Sequence, residues 1–162
     1  MQEYLSDAVV LAREPRGDAD IRLTLFTQKF GKLSAKVKSA RKITSKLSPH
    51  LTEGNLAKVR VVEHGGLQLV DALKISRLSF SPQELRSLYE VLPDAEPDQR
   101  IWSEITSGNL KWNTILRYLG WDPAQAECVV CGNKPKTFKI PTQEFLCQVH
   151  ENNSAGLHFE AQ

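Results

Sequence analysis

The sequence predicts an α+β protein: a small closed barrel of five strands, then a short helical segment, then a compact cysteine-rich module. Three observations carry this. Residues 7 to 75 form a series of short apolar or alternating runs separated by turn residues. Ser81-Pro82-Gln83-Glu84 opens a stretch with helical periodicity. Near the C-terminal end, cysteines and a histidine fall in pairs two residues apart.

The elements follow in order. "DAVVLA" is an apolar strand, and "EPRGDAD" turns the chain at Pro15, Gly17 and Asp18. "IRLTLFT" alternates, with Ile21, Leu23 and Leu25 on one face and Arg22, Thr24 and Phe26 on the other. By that alternation Phe26 is expected on an exposed face. After a turn at Gly31, "KLSAKVK" places Leu33, Ala35 and Val37 inward and Lys32, Ser34, Lys36 and Lys38 outward. A basic connector leads to "NLAKVRVVEH" and "LQLVDALKIS", joined by a hairpin signal at Gly65-Gly66. Five strands in so short a segment suit a closed barrel, which removes exposed sheet edges. The capping box at Ser81 and Glu84 starts a helix that ends before Pro93, and "RIWSEI" suits a short second helix. "NLKWNTILRYLG" is the clearest helix: Trp112, Ile115, Leu116 and Leu119 share one face, and Gly120 supplies its stop.

Apolar residues make up 41% and charged residues 25% of the 162, an ordinary globular composition. No apolar run approaches the ~20 residues of a membrane span. The N-terminus lacks a basic start and a long apolar core, so a soluble, cytoplasmic protein is expected.

The net charge of +2 hides a separation. Residues 29–46 hold seven of the 21 Lys and Arg and no acid, so the rest of the chain, 14 cations against 19 acids, is net −5. Lys32, Lys36, Lys38, Arg41, Lys42 and Lys46 would form one continuous basic face, suited to the phosphates of a single-stranded nucleic acid. Aromatic partners for bases are few: Phe26 and Phe30 flank the stretch, and Tyr4 is expected nearby. Binding dominated by the backbone, with little sequence readout, follows from that shortage.

Cys128-x2-Cys131-x15-Cys147-x2-His150 offers three thiolates and an imidazole in two knuckles, with Gly132 after the first. That set satisfies one tetrahedral zinc with no open position, a structural site. His158 is the alternative fourth ligand. No His-x-Glu stands upstream to complete a zinc deaminase, and no phosphate loop, Gly-x-Ser-x-Gly or His-Glu-x-x-His is present. A non-enzymatic protein is expected.

In their order, "AVVL…RGDADIRLTLFTQKFGKLSAKVKSARKITSKLSPHL" and "LRYLGWDPAQAECVVCG" resemble the bacterial recombination mediator family RecO. The resemblance runs over roughly residues 4 to 150. It rests on Ala8 to Leu11, Asp18 or Asp20, Leu25-Phe26-Thr27, Gly31, Lys38-Ser39-Ala40-Arg41, Ser45-Lys46-Leu47, and Leu116 to Gly120 leading into the knuckle. It implies an OB-fold DNA-binding domain over 1–78, a helical domain over 79–122, a zinc-finger module over 123–152 and a loose tail over 153–162. It also implies binding of single- and double-stranded DNA, strand annealing in repair, and partnership with RecR and single-stranded-DNA-binding protein to load recombinase, hence a nucleoid-associated location. Three departures stand out: Ser39 replaces a customary glycine, His150 replaces a fourth cysteine, and the helical region is short. Two other readings of the residues remain open, a protein-interaction adaptor and an RNA-binding OB module with a structural zinc site.

Overall fold

The structure, a computed structural model, describes residues 1–152 and 156–160. It divides into two compact units, Met1–Trp102 and Ser103–Gln162, and the chain passes from one to the other within a helix.

Five strands build the first unit: β1 (Gln2–Arg16), β2 (Asp20–Thr27), β3 (Gly31–Val37), β4 (Asn55–Glu63) and β5 (Leu67–Arg77). They close into a barrel in the order β1-β2-β3-β5-β4, with β4 pairing back to β1. All pairings are antiparallel except β3 with β5, which is parallel and rests on Lys36 opposite Gln68. This is the closed barrel that the five short runs predict, in the OB-fold arrangement that the resemblance implies. Ala8, Val10, Ile21, Leu23, Leu25, Ala35, Val37, Val59, Val61 and Leu69 fill the interior. The connector after β3 contains a 3-10 turn, Ser48–His50, and sends Ala40 and Leu51 into the core at one end of the barrel.

The β1–β2 turn is tighter than the sequence suggests. Glu14, Pro15 and Arg16 pair with Arg22, Ile21 and Asp20, so only residues 17–19 remain outside the strands. The hairpin at Gly65-Gly66 forms as expected, with φ of 62° and 132°.

The exposed face expected for Phe26 is corrected. Its side chain is 1% exposed and its ring lies 6.1 Å from Trp102. Val9 and Leu11, whose side chains alternate with the interior positions of β1, are buried as well, and helix α1 (Pro82–Val91) packs on that strand. Alternation separates two faces; it does not say whether a later segment covers the second one. The capping box is complete: Ser81 Oγ accepts the Glu84 N–H, and Glu84 accepts the Ser81 N–H.

The chain crosses the unit boundary in α2 (Gln99–Thr106). The second unit holds α3 (Trp112–Tyr118) and three short strands, β6 (Thr137–Lys139), β7 (Glu144–Leu146) and β8 (Leu157–His158). Gly120, at φ 97°, ends α3 with the Trp121 N–H on the Leu116 carbonyl. The strands form a sheet in the order β7-β6-β8. Phe138, fully buried, sits against Trp121 and Phe145 at 5.1 and 4.9 Å between ring centroids. The expected loose tail is therefore a strand at Leu157–His158, while residues 153–155 and 161–162 lie outside the described residues. No helix of the described residues is long and apolar enough to cross a membrane.

Candidate nucleic-acid interface and metal centre

The basic segment starts on β3 and turns away from it at Ser39. That residue has φ 55°, the left-handed conformation that a glycine adopts freely and a serine only at a cost. Asp20 holds the turn. It accepts the Ser39 N–H at 2.8 Å and pairs with Lys36 Nζ at 2.9 Å. The hydrogen bond to Lys36 and then the one from Ser39 keep the Asp20 carboxyl below its ordinary pKa. Arg41 is tied to the β1–β2 turn from two directions, its N–H to the Ala19 carbonyl and its Nη1 to the Gly17 carbonyl, both at 2.9 Å.

Lys36, Lys38, Arg41, Lys42 and Lys46 are exposed. Lys38, Lys42 and Lys46 form no salt bridge among the described residues. Lys32 differs. Its ammonium lies 2.8 Å from the Tyr89 carbonyl, 3.3 Å from Asp94 and 5.4 Å from the centre of the Tyr89 ring, and its side chain is 13% exposed. The reason is the segment after α1, which runs beside this end of β3: Asp94 bridges to Lys32, and the Ala95 N–H bonds the Lys32 carbonyl. Lys32 is thus a tie between strand and loop, and its charge is compensated.

Two further cations join the face. Arg16 and Arg22, both exposed, line a groove of ≈ 330 Å³ with Ser34 and Lys36. Arg22 stands directly opposite Lys36 in the β2–β3 register. Alternation already puts Arg22 outward; what the sequence conceals is the pairing that sets it beside Lys36 although 14 positions separate them. Tyr4 and Phe30 do come together, edge to face at 5.2 Å.

In the second unit, the four residues with knuckle spacing converge. Cys128, Cys131, Cys147 and His150 bring their ligand atoms within 4.8 Å of one another and could hold a metal ion. The Gly132 N–H returns to the Cys128 carbonyl in the first knuckle, with Gly132 at φ 73°. The Glu151 N–H returns to the Cys147 carbonyl in the second. Cys131 and Cys147 sulfurs lie 3.7 Å apart, and His150 Nδ1 lies 3.3 and 3.7 Å from the sulfurs of Cys147 and Cys128. A tetrahedral shell with bonds of about 2.3 Å to sulfur and 2.0 Å to nitrogen has edges of about 3.8 and 3.5 Å. The donor set therefore fits such an ion. Burial opposes ionisation of Cys128, but hydrogen bonds from the backbone of Cys147, Val130 and Cys131 and from His150 outweigh it, and its pKa falls to about 6. Hydrogen bonding to Cys128, and next to Cys147, raises that of His150. His158 is not in the group: its Nδ1 is 3.3 Å from Thr137 Oγ1 and 3.5 Å from Glu151.

A five-stranded barrel with a basic outer face, followed by a Cys3His module whose side chains could hold a metal ion, defines the class: an OB-fold barrel joined to a candidate metal centre. Comparison with known proteins bears on the barrel first. Residues 1–78 match the family model described as "Recombination protein O N terminal". The DNA repair protein RecO of Dehalococcoides mccartyi is 26% identical over 159 residues, covering 82% of this chain and 62% of that protein. The DNA repair protein RecO of Koribacter versatilis is 28% identical over 160 residues, covering 80% and 64%. The barrel thus matches the N-terminal domain of RecO proteins, and the chain is similar to them over about four fifths of its length while spanning less than two thirds of the length of these relatives.

Proposed function

We propose that this chain is a non-catalytic recombination mediator that binds single-stranded DNA through its barrel and promotes annealing of complementary strands. The observation that carries the reading is the cluster of exposed cations, Arg16, Arg22, Lys36, Lys38, Arg41, Lys42 and Lys46, around the β1–β2 turn and the start of the connector. The ties from Asp20 and Arg41 hold the start of the connector in place before any ligand arrives. Less ordering is then required on binding. One zinc at Cys128, Cys131, Cys147 and His150 serves as a structural ion, supported by the spacing of the four ligand atoms. With no fifth donor needed, its role is to hold the two knuckles together. RecR, double-stranded DNA and single-stranded-DNA-binding protein are the further partners this reading brings with it, in the cytoplasm at the nucleoid.

The test is titration with a short single-stranded oligonucleotide. The K38E/R41E/K42E variant should lose most of its affinity with an unchanged far-UV circular dichroism spectrum. Unchanged affinity would reduce the basic face to a solvated surface. A protein-adaptor reading has one observation in its favour: Val129, Val130 and Val149, on the two knuckles, are 59, 63 and 81% exposed. Retention of RecR by the charge-reversed chain would support it, and competition between RNA and DNA addresses the RNA-binding reading.

A further inference from the structure

The connector plugs one end of the barrel; the other end is open. β3 and β5 pair only at Lys36 and Gln68, and the Lys32 end of β3 has Asp94 and Ala95 beside it instead of β5. The opening is a cavity of ≈ 290 Å³ walled by Tyr4, Phe30, Leu33, Val61 and Leu67, with Glu63 at its rim. Deeper in the cavity, the hydroxyls of Ser6 and Thr27 are already committed: Ser6 donates to the Asp7 carbonyl and accepts the Lys29 N–H, and Thr27 donates to the Gly31 carbonyl. The rim carboxylate accepts from Tyr4 Oη at 2.8 Å, which leaves its other oxygen available.

The chemistry of this mouth is specific. Tyr4 and Phe30 supply aromatic surface to a planar ring. A volume near the lower bound of small-ligand pockets, about 300 Å³, admits one ring system. A carboxylate beside apolar walls is unfavourable toward a purely apolar occupant, which would desolvate it without a partner. It is equally unfavourable toward a base that offers only carbonyl oxygens there. It suits an exocyclic amino group, as carboxylates accept from cytosine N4. Gly31 to Val37 rises about 20 Å along β3, so a strand of several nucleotides could contact the basic groove and the mouth together.

We propose that the open mouth of the barrel seats one unstacked nucleobase carrying an exocyclic amino group, with Tyr4 and Phe30 against the ring and Glu63 on the amino group. This rests on the reading of the basic face as a DNA-binding surface and adds to it a preference among bases. Without the pocket, a phosphate-tracking face would treat all single strands alike.

The experiment measures fluorescence anisotropy of labelled oligo-deoxycytidine and oligo-thymidine of equal length with the full chain. The wild type should bind oligo-deoxycytidine about fivefold more tightly, the low end of the discrimination that a good base-edge pairing gives. Tyr4→Ala should bring oligo-deoxycytidine down toward oligo-thymidine. Glu63→Gln, a surface substitution that keeps the fold, should shrink the preference without removing binding. Equal affinity of the wild type for both oligonucleotides, with the K38E/R41E/K42E variant still defective, overturns the base seat and leaves the DNA-binding face standing. No binding of either oligonucleotide overturns both.

Discussion

Lys32 and Lys38 lie on the same strand-to-connector segment and carry the same charge, yet the structure separates their roles. Lys38 is exposed and forms no salt bridge among the described residues, whereas the Lys32 side chain is 13% exposed and held by Tyr89 and Asp94. For single-stranded DNA, each neutralised phosphate contributes about −0.7 to the slope of log K against log salt. At about 0.1 M salt one such contact corresponds to roughly fivefold in affinity, or about 1 kcal/mol. Lys38→Ala should therefore make the slope shallower by about 0.7 and leave stability nearly unchanged. Lys32→Ala should leave the slope as it is. It should lower stability by about 1–2 kcal/mol, from a charge-assisted hydrogen bond to a carbonyl and a contact with an aromatic face. The salt bridge to Asp94 adds little, because that carboxylate is 86% exposed. Anisotropy titrations of an oligonucleotide at four or more salt concentrations give the slopes, and urea unfolding followed by circular dichroism gives the stability. A slope that falls equally for both variants would refute the assignment of Lys32 as a compensated tie.

Other expected outcomes concern the turns and the metal. Gly31 has φ +72°, and an added Cβ would lie 2.5 Å from the backbone of Glu96, so Gly31→Ala should cost at least about 3 kcal/mol, seen as a lowered melting temperature. Ser39→Gly should raise stability by about 0.5–1 kcal/mol, because relief of the left-handed backbone outweighs the added freedom of the unfolded chain. Elemental analysis should give one zinc per chain, and a C128S/C131S variant should lose it; full retention would exclude the site. Metal binding displaces thiol protons, so affinity falls as pH is lowered. With Cys128 ionised above about 6, the fall should steepen below that value, where this thiol too must release a proton, and a chelator titration at several pH values measures it.

Much of both sites was legible in the sequence because local rules set it. A period of two places Ala35 and Val37 in the core and leaves Lys36 and Lys38 outside. Knuckle spacing brings the pairs Cys128–Cys131 and Cys147–His150 together within single turns, so the candidate ligands can be read from the chain, while only the structure sets His158 apart from them. Ser81 and Glu84 cap their helix through contacts three residues apart. Less legible were the short strands β6 and β7, whose runs of three residues carry too little pattern to identify, and β8, which exists only through its pairing with β6.

The amino-acid sequence by itself determined five short strands, the capped helix, the basic segment and the two Cys/His knuckles, since each depends on residues close together in the chain. The tertiary structure alone decided which outward faces a later segment covers. Trp102 covers Phe26 from 76 positions away, and Asp94 reaches Lys32 from 62. Strand register sets Arg22 beside Lys36, and a single β3–β5 bridge leaves the mouth open between Tyr4 and Leu67. Such contacts join parts of the chain that no local period relates, and only closure of the barrel brings them into reach.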